Sequence, residues 1–89
     1  MSLNKNLKAN SKIVFREETD DALLFDPDSG NIKVINETGK FIWANLDGKN
    51  DEDSLVKKIM DKFDISDEQK AREDLGKFLE DLKIQKFLE

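Results

Sequence analysis

The sequence predicts an α+β domain in which a three-stranded antiparallel sheet is followed by three helices. Residues 12–35 contain three short apolar runs separated by turn residues, a pattern that is typical of short strands. Residues 37–82 contain longer stretches whose apolar residues recur at helical spacing. Because this order is the layout of a winged helix-turn-helix, we expect that architecture.

The predicted strands are short and are connected by tight turns. Lys12–Arg16 has charged ends around a β-branched and aromatic centre, and Ala22–Phe25 is a second apolar run. A third strand is expected at Asn31–Ile35. The preceding Asp26–Gly30 segment contains a proline that presets a turn position and a glycine that favours the left-handed conformation. We therefore expect an antiparallel meander.

Each predicted helix begins at a capping residue and carries one apolar stripe. The first helix is expected to run from about Glu37 to Asp47 and to stop at Gly48. The expected N-caps are Asn36, Asn50 or Asp51, and Ser66 in a capping box with Gln69. The stripes consist of Ile42, Trp43 and Leu46, then of Leu55, Val56, Ile59, Met60 and Phe63, and finally of Ala71, Leu75, Phe78, Leu79 and Leu82.

Two residues on the predicted helices allow both a structural and a functional interpretation. Trp43 is the only tryptophan, and its place on the apolar stripe favours a buried core anchor over a stacking platform for a ligand. Gly76 interrupts the third helix, where glycine costs about 1 kcal/mol relative to alanine. It allows close approach of either a neighbouring helix or a bound peptide, and both interpretations stay open.

The composition narrows the range of possible enzymatic chemistry. The 89 residues include no cysteine, histidine or tyrosine, which removes the thiolate nucleophile and the commonest base and metal ligand. The acidic groups at residues 26–28 and 51–53 lack calcium-loop spacing and are expected to have structural roles, so neither metal nor cofactor is predicted. With no membrane-length apolar run and no signal-peptide core, we expect a cytoplasmic protein.

The net charge of −5 is unevenly distributed, because residues 1–16 carry four basic side chains and no acidic one. Residues 1–11 are expected to be a disordered or tag-like tail, and residues 12–89 the folded domain. The topology and the basic segment together raise the alternative of a winged-helix DNA-binding protein. The predicted third helix contains more acidic than basic residues, which disfavours phosphate binding. A homodimer formed through a strand edge is a further alternative.

Six short motifs follow one another within residues 35–82: Ile35-Asn36, Glu37-Thr38-Gly39, Ile42-Trp43, Asp47-Gly48, the aliphatic stretch Leu55 to Phe63, and Phe78-Leu79-Glu80-Asp81-Leu82. This combination resembles the PqqD family over about residues 12–88, and the members of that family are also called RiPP recognition elements. The resemblance implies a non-catalytic adaptor that binds the leader of a ribosomally made precursor peptide. It implies that the adaptor presents this peptide to a modifying enzyme, often a radical S-adenosylmethionine enzyme, in the biosynthesis of pyrroloquinoline quinone or another RiPP.

The resemblance also implies where the peptide binds. The leader is expected to add as an antiparallel strand to the edge of the third predicted strand, which offers unpaired backbone groups. Its apolar side chains are expected to enter a groove against the third helix, where Lys33 and Arg72 would attract an acidic leader. The implied peptide-binding residues are Lys33, Val34, Ile35, Arg72, Leu75, Gly76 and Leu79, and no catalytic or metal-ligating residue is expected.

Overall fold

The computed structural model describes residues 6–89. The strands are β1 (Leu7–Lys8), β2 (Val14–Glu17), β3 (Ala22–Phe25), β4 (Ile32–Ile35) and β5 (Asp47–Asn50), and the helices are α1 (Glu37–Ala44), α2 (Glu52–Lys62) and α3 (Glu68–Ile84). Strands β2, β3 and β4 form an antiparallel sheet in that order, which confirms the predicted meander and the α+β class. In this part of the chain no helix combines the length and apolarity needed to span a membrane.

The turn between β3 and β4 fixes the register of β4. Gly30 has a φ of +81°, and its N–H donates to the Asp26 carbonyl at 2.7 Å, while the Asp26 N–H donates to Asn31 at 2.9 Å. Gly30 and Asn31 therefore both lie opposite Asp26, which makes a β-bulge. This bulge requires a residue in the left-handed conformation, which glycine adopts without strain. The Asp28 N–H and the Ser29 hydroxyl donate to the Asp26 carboxylate and hold the pKa of that carboxyl below its usual range.

The core lies between one face of the three-stranded sheet and the helices. It comprises buried side chains from the sheet, the helices and the C-terminal segment: Ala22, Leu24, Ile35, Ile42, Leu46, Leu55, Val56, Ile59, Ala71, Leu75, Leu79, Leu82 and Phe87. Trp43 is half-buried and packs against this cluster, in agreement with its predicted place on the apolar stripe. The periodic apolar positions of the sequence therefore form one continuous core.

The first helix ends earlier than predicted. α1 stops at Ala44, and the N–H of its C-cap Asn45 donates to the Ile42 carbonyl at 2.9 Å. Gly48 does have a positive φ of +83°, but it lies within β5, where the Lys8 side chain packs over it. The prediction was wrong because the chain leaves the helix to pair β5 with β1, a contact with residues distant in sequence.

The predicted N-caps are confirmed for two helices and shifted by one residue for the third. Asn36 accepts from the Gly39 N–H and Asp51 from the Ser54 N–H, both at 2.9 Å. The cap of α3 is Asp67, whose carboxylate accepts from the Lys70 N–H at 3.2 Å, and not Ser66. Serine and aspartate are comparable N-caps, so the sequence alone did not separate two adjacent candidates.

Residues 7–10 differ from the expected N-terminal tail, whose first five residues lie outside the described part of the chain. β1 pairs with β5, and the following Ala9 N–H donates to the Leu46 carbonyl at 2.9 Å. The Asn10 N–H donates to the Phe87 carbonyl at 2.8 Å, so this segment lies between β5 and the C-terminal residues. Such a short segment contains too few apolar residues to give a recognisable strand pattern in the sequence. Its strand conformation depends on pairing with residues that are distant in the chain.

Candidate functional site

Among the described residues, β4 is an edge strand of the sheet. The alternation of hydrogen-bonded and non-bonded pairs between β3 and β4 determines which β4 backbone groups do not bond to β3. The bulge makes Asp26 and Asn31 a hydrogen-bonded pair. Hydrogen-bonded and non-bonded pairs alternate along an antiparallel ladder, so the next bonded pairs are Leu24 with Lys33 and Ala22 with Ile35. The N–H and C=O groups of Ile32 and Val34 therefore point away from β3, towards the open edge.

The inner face of β4 meets α3 through Lys33 and Ile35. Ile35 is 2% exposed, whereas the Lys33 side chain is 19% exposed and spans part of the interface. The Lys33 ammonium lies 5.8 Å from the centre of the Phe78 ring and 3.6 Å from an Asp81 carboxylate oxygen. The cation is thus held by one aromatic face and one acidic side chain of α3.

A groove of about 270 Å³ opens beside this contact, between the N-terminal half of α1 and α3. It has mostly apolar walls with polar groups at its rim, and we call it the edge groove: Asn36, Thr38, Gly39, Ile42, Ile59, Ile65, Ala71, Asp74, Leu75 and Phe78. A shallower depression shares Asn36 and Phe78 and continues along Lys33, Val34 and Ile35. The free edge of β4 therefore leads directly into an apolar groove.

The structure brings together only part of the predicted site. Lys33, Val34 and Ile35 lie on β4, and Leu75 lines the edge groove although it is itself 1% exposed. Arg72, Gly76 and Leu79 occupy another side of α3, since residues at i, i+4 and i+7 share one side of a helix. Leu79 belongs to the core there.

Arg72 is engaged away from the edge groove. Its guanidinium donates to the Asp53 carboxylate at 2.7 Å and to Glu68 at 2.9 Å, and these hydrogen bonds raise its pKa. Its charge therefore ties α3 to the first turn of α2. Lys33 in turn is paired with Asp81, so the two cations that were expected to attract an acidic leader each have acidic partners in the fold.

The side of α3 that lines the edge groove or contacts Lys33 of β4 contains Asp74, Phe78 and Asp81, none of which was among the expected site residues. These residues also recur at i, i+4 and i+7, and they lie nearly opposite Arg72 and Gly76 around the helix. Phe78 was assigned to the core stripe, and its position at the margin of that stripe was the available signal. No pattern in the sequence distinguished Asp74 and Asp81 from the other acidic residues of α3.

Gly76 is not required for close packing. A Cβ atom built at Gly76 would meet no neighbouring atom within 4 Å, so the neighbouring-helix interpretation is wrong. We expect Gly76→Ala to stabilise the fold by about 0.5–1 kcal/mol, because alanine loses less backbone entropy in a helix interior. Urea unfolding followed by Trp43 fluorescence measures this change, and a destabilised variant would contradict it.

Gly39 is required for the junction of α1, β4 and α3. A Cβ atom there would lie 2.9 Å from the Ile35 Cβ and 3.3 Å from the Phe78 ring. We expect Gly39→Ala to cost about 1–3 kcal/mol of the free energy of unfolding, since an overfilled contact forces neighbouring atoms apart. The same unfolding assay applies, and Gly76→Ala is the matched control because it introduces the same methyl group in a helix without a clash.

The acidic clusters have structural partners. Asp26 closes the β3–β4 turn, and Asp51 caps α2. Among residues 6–89, no group of three or more potential ligand side chains converges on a possible metal position. The basic residues Lys12 and Arg16 pair with Asp28 and Glu18, at 3.4 and 3.2 Å, and α3 keeps its excess of acidic groups. Nothing in this arrangement favours DNA binding.

Comparison with known proteins gives matches over nearly the whole chain. The solved structure of TbiB1 in complex with the TbiA(beta) leader peptide has a TM-score of 0.80 at 23% identity, covering 92% of this chain and 94% of that chain, so the two share a fold. The phenylalanine–tRNA ligase alpha subunit of Methanococcus maripaludis (strain C7 / ATCC BAA-1331) is 35% identical over 86 residues. That match covers 92% of this chain but 15% of the ligase subunit, so the likeness concerns a small part of that protein.

The family comparison covers all six sequence motifs. Residues 21–88 match the family described as coenzyme PQQ synthesis protein D (PqqD). The matched range begins next to β3 and includes β4, α1 and α3, and therefore the whole edge groove. It confirms the resemblance found in the sequence motifs, and we conclude that this chain belongs to the PqqD family.

Proposed function

We propose that this protein is a non-catalytic adaptor that binds the leader of a ribosomally made precursor peptide and presents it to a modifying enzyme. The observation that carries the proposal is the free edge of β4, where the N–H and C=O groups of Ile32 and Val34 point outward beside the edge groove. An extended peptide can pair with these groups as a further antiparallel strand. Its inward side chains then enter the edge groove.

The approximate free energies of the contacts indicate that the β4 edge and the edge groove act together in peptide binding. Ile32 and Val34 offer four backbone hydrogen bonds, each of which contributes about 1 kcal/mol net. Ordering four peptide residues costs about 1–2 kcal/mol each, so the backbone bonds alone do not give stable binding. Burying one large apolar side chain in the edge groove adds about 1.5–3 kcal/mol. The backbone bonds therefore set register and direction, and binding requires buried apolar side chains in addition to them.

Family membership and one structural relative support the proposal. TbiB1, which shares this fold, was solved in complex with a leader peptide. The absence of cysteine and histidine from the sequence fits a binding role better than catalysis. The second partner we propose is a peptide-modifying enzyme, such as a radical S-adenosylmethionine enzyme, acting in pyrroloquinoline quinone or other RiPP biosynthesis. The cytoplasmic location stays a prediction.

Titration with leader peptides tests the proposal directly. Each small open reading frame beside the gene supplies a candidate leader, which is synthesised with a fluorescent label and followed by anisotropy. We expect one of them to bind with a dissociation constant of tens of micromolar or tighter, corresponding to about 6–7 kcal/mol. A lack of binding by every encoded candidate would overturn the proposed function.

A further inference from the structure

The outer face of the three-stranded sheet, opposite the helices, is mostly apolar and is uncovered among the described residues. Its one charged side chain is Arg16 of β2, which lies beside Leu23, and Leu23 lies beside Val34. Ile32 and Val34 are 59% and 62% exposed, and Val14 and Phe25 on the same face are also exposed. In the paired register, Ile32 lies beside Phe25, and Phe25 lies beside Val14, so the three side chains form one apolar row. Contiguous exposed apolar side chains usually mark a binding surface.

A second copy of the chain is disfavoured on this face. The loops at its two ends belong to residues 17–31, whose six acidic residues exceed the three cations that pair with them, Lys12, Arg16 and Lys40, so both ends keep a net negative charge. Two copies stacked face to face would bring these acidic ends together, and like charges at an interface oppose association. The apolar row remains open at its β4 end, which is the edge where the peptide is proposed to add.

The geometry of strand addition places peptide side chains next to Ile32 and Val34. Both residues point their free backbone groups outward, so each forms a hydrogen-bonded pair with the peptide residue directly opposite. Directly paired residues project their side chains to the same face of a sheet, with Cβ atoms about 4.5–5.5 Å apart. The two peptide residues opposite Ile32 and Val34 therefore lie on the outer face, not in the edge groove.

Resting on the proposed function, we propose that the outer face of β4 is a second specificity determinant, which selects apolar peptide side chains opposite Ile32 and Val34. An antiparallel peptide meets Ile35, Val34, Lys33 and Ile32 in its own N-to-C order. The residue opposite Ile35 is apolar and enters the edge groove, and the residue opposite Val34 is apolar and lies outside. The third residue lies beside the Lys33 ammonium and its Asp81 partner and is polar, and the fourth is apolar beside Ile32.

This pattern differs from that of a strand with one buried face. A peptide read only by the edge groove would alternate apolar and polar residues, since successive side chains alternate between faces. A peptide read on both faces has two adjacent apolar residues, one polar residue and one further apolar residue. The Val34 side chain is thus assigned a role that is separate from its backbone groups.

Selection from a peptide library tests the inference without knowledge of the natural leader. Phage-displayed random dodecapeptides are selected on the protein, and only those that fail to bind the folded Val34→Pro variant are kept as edge-dependent. The chain has no cysteine, so Val34→Cys with a cysteine scan of one selected peptide identifies, by disulfide formation, the residue opposite position 34. The aligned peptides then show which residue types face Ile32 and Val34.

A double-mutant cycle measures the contribution of the side chain. We expect Val34→Thr, which keeps the β-branched shape, to weaken edge-dependent peptides by about two- to fivefold. The matched control is Val14→Thr on the same face but on the distant edge strand β2, where less than a 1.5-fold change is expected, since no added strand adjoins it. Replacing the opposite peptide residue by serine should weaken binding to the parent more than binding to Val34→Thr.

The outcomes separate the inference from the proposed function. Edge-dependent peptides with apolar residues opposite Ile32 and Val34, together with coupling at Val34, support the inference. Edge-dependent peptides with polar residues at those positions, or equal effects of Val34→Thr and Val14→Thr, overturn the inference and leave the proposed function standing. If no edge-dependent peptide is selected at all, strand addition itself fails, and the inference fails with it.

Discussion

Replacing Val34 by proline is expected to weaken peptide binding by at least about tenfold while the domain stays folded. The Val34 N–H points away from β3, so proline removes a donor that the ladder with β3 does not use and that the added strand needs. The pyrrolidine ring also projects into the space of the incoming strand. Proline is tolerated on edge strands in this orientation, because the ladder inside the sheet keeps its bonds.

Two further variants serve as controls for this prediction. Ile35→Pro is expected to disrupt the fold, because the Ile35 N–H bonds to β3 and its side chain is 2% exposed. Lys57→Ala changes an exposed residue of α2 and should leave binding unchanged. Circular dichroism establishes folding, and anisotropy titration measures affinity. If a folded Val34→Pro variant binds as tightly as the parent, strand addition is wrong and the edge groove alone carries recognition.

Replacing Phe87 by alanine is expected to destabilise the domain by about 3–5 kcal/mol. Phe87 is completely buried, its N–H donates to the Leu82 carbonyl at 2.8 Å, and its carbonyl accepts from Asn10 at the same distance. Truncation leaves a cavity where the C-terminal segment, β1 and α3 meet. Because the total stability of a domain is typically about 5–15 kcal/mol, a loss of this size leaves the variant close to unfolding.

Urea unfolding followed by the fluorescence of Trp43 provides the measurement. Ile84→Ala is the matched control, since Ile84 is 70% exposed at the end of α3 and alanine is a good helix former. It should change the free energy of unfolding by less than about 0.5 kcal/mol. Equal stability of the Phe87→Ala variant and the parent would show that the C-terminal segment does not contribute to the core.

The residues at the junction of α1, β4 and α3 affect both the stability of the domain and its peptide binding. Gly39 allows α1 to approach Ile35 and the Phe78 ring, and the same three residues border the edge groove or its entrance. A change that separates these elements therefore alters the groove along with the free energy of unfolding. Affinity measured alone would not distinguish the two effects, so each binding variant requires its own unfolding curve.

The sequence by itself determined the features that depend on neighbouring residues. The meander, the turn glycine at position 30, the cap at Asn36 and the apolar stripes were all predicted, and the second cap was narrowed to Asn50 or Asp51, since each feature arises from contacts within a few residues. The motif order also indicated the PqqD family, which the match over residues 21–88 confirms. Such local features need no knowledge of what packs against them.

Only the tertiary structure decided which surfaces face one another. The family resemblance implied that Arg72, Gly76 and Leu79 lie on the groove wall, whereas Asp74 and Phe78 line the edge groove and Asp81 pairs with Lys33 of β4. The apolar stripe of α3 is broad enough to permit either rotation of the helix, and packing on β4 and α2 selects one. The outward direction of the Val34 amide likewise depends on the phase that the glycine bulge gives to the ladder, and β1 depends on distant strand partners. These choices are made by contacts between residues far apart in the chain, which sequence periodicity does not encode.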